Sequence, residues 1–290
     1  MKITTPRRLL TTAVLTLTAL TGGAVPGQAE TAPTQRAAAA LPAGYQVLRG
    51  GPATVDNFTR LTLACPTGKV IVGGGADIQS PAGGVLLGSF PSNVGGAYQW
   101  NVIARQEKQA QVTTYGYAVC VDSAALPGYQ IVRVPAAEVA NGASRQATCP
   151  AGKVVVGGGA EAQGASAALR FSTSPRPKGT DYLWTASGRS LAGTTVGLAV
   201  DAICANPIPG YEIVESAATE TPNLTRRGQA CPTGKTALSG GAGGYNTAIL
   251  TSMLPELIDA SSGYRWAAAV REPARAGAIS SVTAICTNLT

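Results

Sequence analysis

The sequence predicts an all-β fold made of three tandem copies of one antiparallel unit, each closed by its own disulfide. Three observations predict it: a threefold internal repeat, a cysteine pair at fixed spacing in each copy, and short β-rich runs broken by turn residues. The copies open at Gly44-Tyr45-Gln46-Val47, Gly128-Tyr129-Gln130-Ile131 and Gly210-Tyr211-Glu212-Ile213. Twenty-one positions after each opening Gly comes Cys-Pro-x-Gly-Lys, at Cys65–Lys69, Cys149–Lys153 and Cys231–Lys235. Small-residue runs follow at Gly73-Gly74-Gly75, Gly157-Gly158-Gly159 and Ser239-Gly240-Gly241. Each copy then carries Tyr-x-Trp-x4-Arg, as Tyr98/Trp100/Arg105, Tyr182/Trp184/Arg189 and Tyr264/Trp266/Arg271. A second cysteine, Cys120, Cys204 or Cys286, closes each copy 55 positions after the first.

Within a copy, runs rich in Val, Ile, Tyr and Thr are punctuated by Gly, Pro and Asn, the pattern of strands and turns. In the first copy strands are expected near 45–50, 61–65, 69–79, 84–90, 98–106 and 112–122. No stretch beyond the N-terminus shows the 3.6-residue period of a helix. Six strands suffice for a small sandwich or barrel, but about 80 residues make a thin core that needs a staple. The repeat selects Cys65 with Cys120, Cys149 with Cys204, and Cys231 with Cys286 from the fifteen pairings that six cysteines allow. Closing such a loop stabilises a unit by about 4 kcal/mol on a chain-entropy account. The expected arrangement is three compact modules, 44–127, 128–209 and 210–290, packed closely. The alternative is a single β body with pseudo-threefold symmetry.

Residues 1–29 read as an export signal. Lys2, Arg7 and Arg8 supply the basic start, Leu9 to Leu20 a short apolar stretch, and Gly27-Gln28-Ala29 a small-x-small cleavage site. Arg7-Arg8 also fits a twin-arginine signal, so the export route stays open. The apolar stretch is too short for a spanning helix, and residues 30–43, rich in Ala, Thr and Pro, read as a flexible leader. Release outside the membrane, free or associated with the cell wall, is expected. Without the three basic residues of the signal, 19 basic residues stand against 15 acidic ones, a net charge of +4. No basic run exceeds Arg226-Arg227, so a nucleic-acid groove is not indicated.

The motifs carry little chemistry. Cys-Pro-x-Gly-Lys reads as a turn, with Pro presetting φ and Gly supplying positive φ. Gly234-Lys235-Thr236 imitates the end of a phosphate loop, but five residues rather than four separate Gly228 from Gly234, no helix follows, and ATP is absent outside cells. The Gly runs are expected to let a strand or the Trp ring approach the backbone, or to form a bulge; a ligand-contacting loop is the rival reading. Trp100, Trp184 and Trp266 are read as core residues beside the bridges, with sugar stacking as the alternative. Arg105, Arg189 and Arg271 fall on the opposite strand face, where they would cap a carboxylate or offer a donor fork to a ligand. These six form the candidate ligand-binding set.

Asn57, Asn141 and Asn223 recur before each first Cys, and only two of them begin an Asn-x-Thr sequon, so the shared requirement is for Asn itself, in a turn. With no histidine in the chain, His-dependent triads and ordinary zinc sites are excluded. Paired carboxylates do not recur either: Asp77 matches Glu161 and then Gly243, while Asp201 matches Tyr117 and Thr283. No enzyme activity, cofactor or metal is expected.

The Cys-Pro-x-Gly-Lys-x4-Gly-Gly-Gly pattern, with Trp and a closing Cys downstream, resembles repeats in uncharacterised secreted proteins of actinobacteria over residues 44–290. That resemblance implies secretion but brings no site with it. The expected function is extracellular binding, with cell-wall or environmental polysaccharide as the first ligand and avidity from joined copies. The alternative is a protein-binding role, such as a protease inhibitor or envelope scaffold, through the variable loops 92–97, 176–181 and 256–263.

Overall fold

Glycines at positive φ, among them Gly68, Gly95, Gly96, Gly142, Gly152 and Gly234, stand in the turns between strands, whereas Gly73–Gly75, Pro91 and Pro255 lie inside strands. The computed structural model describes residues 41–79, 83–178, 181–260 and 262–288. The signal and nearly all of the leader lie outside them. Copy 1 supplies β1 (Gln46–Asp56), β2 (Arg60–Ala64), β3 (Lys69–Ile78), β4 (Gly84–Val94), β5 (Ala97–Gln106) and β6 (Gln111–Asp122). Copy 2 supplies β7 (Gln130–Ala140), β8 (Ser144–Thr148), β9 (Val154–Gln163), β10 (Ala167–Lys178), β11 (Asp181–Ser190) and β12 (Thr195–Ala205). Copy 3 supplies β13 (Glu212–Glu215), β14 (Thr219–Pro222), β15 (Arg227–Gln229), β16 (Lys235–Gly244), β17 (Ile249–Asp259), β18 (Gly263–Arg271) and β19 (Gly277–Asn288). Among the described residues there is no α-helix, only one 3₁₀ turn at Ser123–Ala125.

The fold is all-β with one disulfide inside each copy, and of the two arrangements the strand pairing follows the pseudo-threefold body. Each copy is divided between two sheets. Sheet A runs β1-β6-β3-β17-β18-β15, sheet B runs β2-β5-β4-β9-β12-β7, and sheet C runs β13-β19-β16-β10-β11-β8 with β14 also on β19. Every sheet is thus half of one copy joined to half of another. The physical reason is the open edge. Three strands alone would leave β3 and β4 with a row of unpaired backbone groups, and pairing with the neighbouring copy covers the part of that row where the strands meet.

That pairing is short. β3 meets β17 only at Asp77↔Ser252 and Ala76↔Met253, β9 meets β4 at Glu161↔Gly88 and Ala160↔Ser89, and β16 meets β10 at Gly243↔Phe171 and Ala242↔Ser172. Beyond these two rungs the strands part, so each sheet has a seam.

Bridges and aromatic rings hold the halves together. Cys65–Cys120, Cys149–Cys204 and Cys231–Cys286 each tie two different sheets within a copy. Trp100, Trp184 and Trp266 lie buried between the same two layers. The middle Gly of each run seats the indole: a Cβ on Gly74 would stand 2.5 Å from Trp100 Cγ, one on Gly158 2.4 Å from Trp184 Cδ2, and one on Gly240 2.4 Å from Trp266 Cγ. Just before the run, an extra residue bulges at Val72, Val156 and Leu238. Both expected uses of the Gly runs, close approach and bulge, are therefore present.

The turn lysines and asparagines are equally structural. Lys69 Nζ donates to the Gly44 carbonyl (2.6 Å), Lys153 Nζ to the Gly128 carbonyl (2.5 Å), and Lys235 Nζ to the Glu212 carboxylate (2.5 Å), pinning the start of each copy. Asn57 Nδ2 donates to the carbonyls of Gln106 and Gln109, and its Oδ1 accepts from the Gln106 amide. Asn141 does the same with Ser190 and Gly193, and Asn223 with Glu272 and Arg275. Only an amide supplies two donors and an acceptor at once, which explains why Asn recurs whether or not a sequon surrounds it.

Candidate functional site

Because the three indoles and the core lie on one face of each sheet, strand alternation puts the intervening residues on the other. Gly74, Gly158 and Gly240 face the tryptophans. Their strand neighbours Asp77, Glu161 and Gly243 therefore face outward at the seams. Across the ladder Tyr117, Asp201 and Thr283 share that outer face, and so in turn do Arg49, Arg133 and Glu215. One scaffold position is occupied by a cation, a cation and an acid; another by a phenol, a carboxyl and a hydroxyl. At these outward positions the residue types differ between copies, although Gly75, Gly159 and Gly241 recur beside them.

On sheet A the outer face is open. Asp77 is held by Arg226 Nη2 at 2.6 Å and by Gln79 Nε2 at 2.9 Å, and Arg226 also approaches Glu256 at 3.8 Å. The guanidinium of Arg49 lies 3.9 Å above the ring of Tyr115, beside the half-buried Tyr117. Where β3 and β17 part, a cavity of about 270 Å³ is lined by Asp77, Gln79, Leu224, Arg226 and Ser252 among others.

Sheet B is closed at the same place. Phe90, which occupies the position of Leu254 on sheet A, sits between the guanidinium groups of Arg60 and Arg133, each 5.3 Å from its ring centre. Glu161 bridges to Arg60 at 3.7 Å and to Arg133 at 3.4 Å, and Asp201 bridges to Arg133 at 3.2 Å. The Asp201 side chain is fully buried. Burial raises its carboxyl to about 7, the neighbouring charge of Glu161 adds to this, and Arg133 only partly offsets it. Burial wins over the ion pair because Arg133 is itself half in solvent and its contacts are long. The structure thus brings together Glu161 and Asp201, two acids that do not recur, but it covers both.

Sheet C opens again. A cavity of about 320 Å³ is lined by Gln146, Arg170, Phe171, Glu215, Tyr245 and Asn246 among others. Burial lowers the Arg170 guanidinium, and the like charge of Arg189 works in the same direction. In copy 2 the turn residue is Gly142, and a Cβ there would meet Arg170 Nη1 at 2.7 Å.

No family model matches this chain, and no curated protein matches it.

The six residues expected to contact a ligand are otherwise employed. Trp100, Trp184 and Trp266 are at most 1% exposed, so no ring face is left on which a sugar could stack, and the core reading holds. The arginines reach across to the next copy. Arg105 Nε donates to the Ala167 carbonyl, Arg189 Nη1 to the Thr247 carbonyl, and Arg271 Nε to the Gly84 carbonyl. Arg271 also pairs with Glu107 of copy 1. These are contacts between copies, which sequence reasoning missed because it placed the arginines on isolated modules. The seam residues were missed for a related reason. Their failure to recur was counted against chemistry, whereas it marks outer-face positions that the tryptophan packing does not fix, of which Asp77 stays partly exposed while Glu161, Asp201 and Thr283 are covered.

Of the variable loops, 92–97 and the described residues of 256–263 join β4 to β5 and β17 to β18, and they expose Val94, Leu257 and Ile258. The side chains of 176–181 lie outside the described residues.

Proposed function

We propose that the protein is a secreted, non-catalytic binding protein that recognises cell-wall or environmental polysaccharide through the outer seams of its sheets. The observation that carries this reading is the change of residue type at equivalent seam positions. Asp77, Glu161 and Gly243, or Tyr117, Asp201 and Thr283, occupy equivalent places on one scaffold with different chemistry. Two of the three seams offer cavities that gather carboxylate, amide and guanidinium groups, with the rings of Phe171 and Tyr245 on the sheet C wall and the aliphatic Ile78 and Leu224 on the sheet A wall, a mixture that hydrogen-bonds hydroxyls and covers C–H faces. Three bridges suit an oxidising compartment. The buried Glu161 and Asp201 have no open side toward a substrate, which favours binding over hydrolysis.

The experiment is a glycan array probed with disulfide-intact protein, followed by calorimetry on the polymers retained. Retention of one polysaccharide class without its cleavage is the expected result; cleavage of any bound polymer would overturn the non-catalytic reading. A second reading has its own support. Leu257 is 57% exposed and Ile258 43% exposed on the β17–β18 hairpin, which fits a protein partner. A partner captured from culture filtrate by the wild type but not by Leu257→Ser/Ile258→Ser, with no glycan bound, would establish that reading instead.

A further inference from the structure

We propose that the sheet A seam is a built site for one neutral pyranose ring, a proposal that rests on the polysaccharide reading and gives it an address. The cavity of about 270 Å³ lies just below the roughly 300 Å³ at which pockets for drug-sized ligands begin, a size suited to one sugar unit. Its polar wall is already oriented. Asp77 is fixed between Gln79 and Arg226, so carboxylate lone pairs and amide and guanidinium donors stand in one array, able to take and give hydrogen bonds with adjacent ring hydroxyls. Two acids, Asp77 and Glu256, are matched by two guanidinium groups, Arg226 and Arg265, so the wall carries no spare charge with which to hold an acidic sugar.

Two further features of the cavity suit a ligand. Leu224, on the apolar wall with Ile78, has φ 68°, where an L side chain is strained by about 1–2 kcal/mol. The same place is Phe58 at φ 70° in copy 1 and Gly142 at φ 83° in copy 2, so the turn after each recurring Asn needs positive φ in every copy, and what is particular to copy 3 is that the side chain carried there, 38% exposed, lines the cavity. On the floor, Ser252 is 3% exposed and its Oγ has no hydrogen-bond partner. A buried hydroxyl left unpaired costs about 1–3 kcal/mol. A sugar lying against Leu224 and sending a hydroxyl to Ser252 would use both.

The test is amide NMR of the full chain titrated with the methyl glycosides of glucose, galactose, mannose and N-acetylglucosamine, and with glucuronic acid. Saturable shifts at Gln79, Leu224, Arg226 and Ser252 with at least one neutral sugar, and weaker binding of glucuronic acid, are expected. Leu224→Gly should weaken that sugar about tenfold, equivalent to about 1.4 kcal/mol. The same variant should move Tm by no more than about 4 °C, since relieved strain and added chain entropy nearly cancel. Ser252→Ala should weaken binding without loss of fold. Shifts confined to Tyr245 and Asn246 on sheet C, or wild-type affinity in Leu224→Gly, would overturn the site while leaving polysaccharide binding intact. Preference for glucuronic acid would overturn the neutral class. Silence toward every sugar, together with an empty glycan array, would overturn both.

Discussion

The hydroxyl of Tyr45 donates to the carbonyl of Ala237 at 2.8 Å, across 192 residues, and so closes the third copy onto the first. Tyr129 makes the same bond to Ile71 and Tyr211 to Val155. The ring of each opening Tyr also packs on the Tyr of the preceding Tyr-x-Trp: Tyr129 on Tyr98, Tyr211 on Tyr182, and Tyr45 on Tyr264. Three equivalent contacts around an axis make a ring with no free end. Tandem order alone provides two junctions, and the Tyr45 contact is the third.

Tyr45→Phe should destabilise the protein by about 1–3 kcal/mol in urea unfolding, because it removes a donor and leaves a covered carbonyl unpaired. Burial raises Tyr45, Tyr129 and Tyr211 above the ordinary phenol value. Their stabilising contribution is complete below about pH 10, where an unfolded tyrosine begins to ionise, and is lost as pH rises further. Absorbance at 295 nm should show these phenols ionising only together with unfolding; ionisation in the folded state would contradict the assignment.

The tryptophans should behave as core residues of unequal cost. Trp184→Ala is expected to lose about 3–5 kcal/mol. Trp100 Nε1 donates to Ser89 Oγ at 3.0 Å, whereas in copy 3 Met253 takes the place of Ser89 and Trp266 Nε1 is without a partner. Trp100→Phe should therefore cost about 1 kcal/mol more than Trp266→Phe. Denaturant midpoints of the two variants provide the comparison.

Asn141 tests the loop clamp without the complication of a sequon. Asn141→Ala removes three hydrogen bonds to the β11–β12 loop and should cost about 2–4 kcal/mol. Asn141→Asp keeps the acceptor but loses both donors, and should rescue only part of that. Hydrogen exchange at Ser190 and Gly193 should accelerate in both variants.

The Asp201 carboxyl, raised to about 7, favours the proton in the folded state over the unfolded value of about 3.9. Its contribution is therefore complete below about pH 4 and is lost as pH rises through about 7, with Glu161 and Arg133 as the charged groups facing it. Wild type should lose stability between about pH 4 and about pH 7 relative to Asp201→Asn, whose profile should be flatter there. Parallel Tm profiles for the two proteins would refute the assignment.

Much of this was legible in the chain. The strand class, the three bridges, the turn role of Cys-Pro-x-Gly-Lys and the seating role of the Gly runs follow from local chemistry repeated three times. In copy 1 the expected strand 69–79 is β3 and 98–106 is nearly β5, while β1 and β4 run longer than expected because they continue as edges or seams. Partnership between copies was not legible. Arg105 with Ala167, or Ser252 beside Asp77, joins residues whose proximity depends on how half-sheets are shared, and no local pattern encodes that.

What the sequence determined by itself was the unit: its strands, its staple, and the fact that it occurs three times, since propensity, turn geometry and cysteine spacing act within a copy. Only the tertiary structure decided that the units exchange sheet edges around an axis, bury their tryptophans and turn their unrepeated residues outward. The reason is physical. Open strand edges must find partners, and which edge meets which is settled by global packing rather than by any residue's neighbours in the chain.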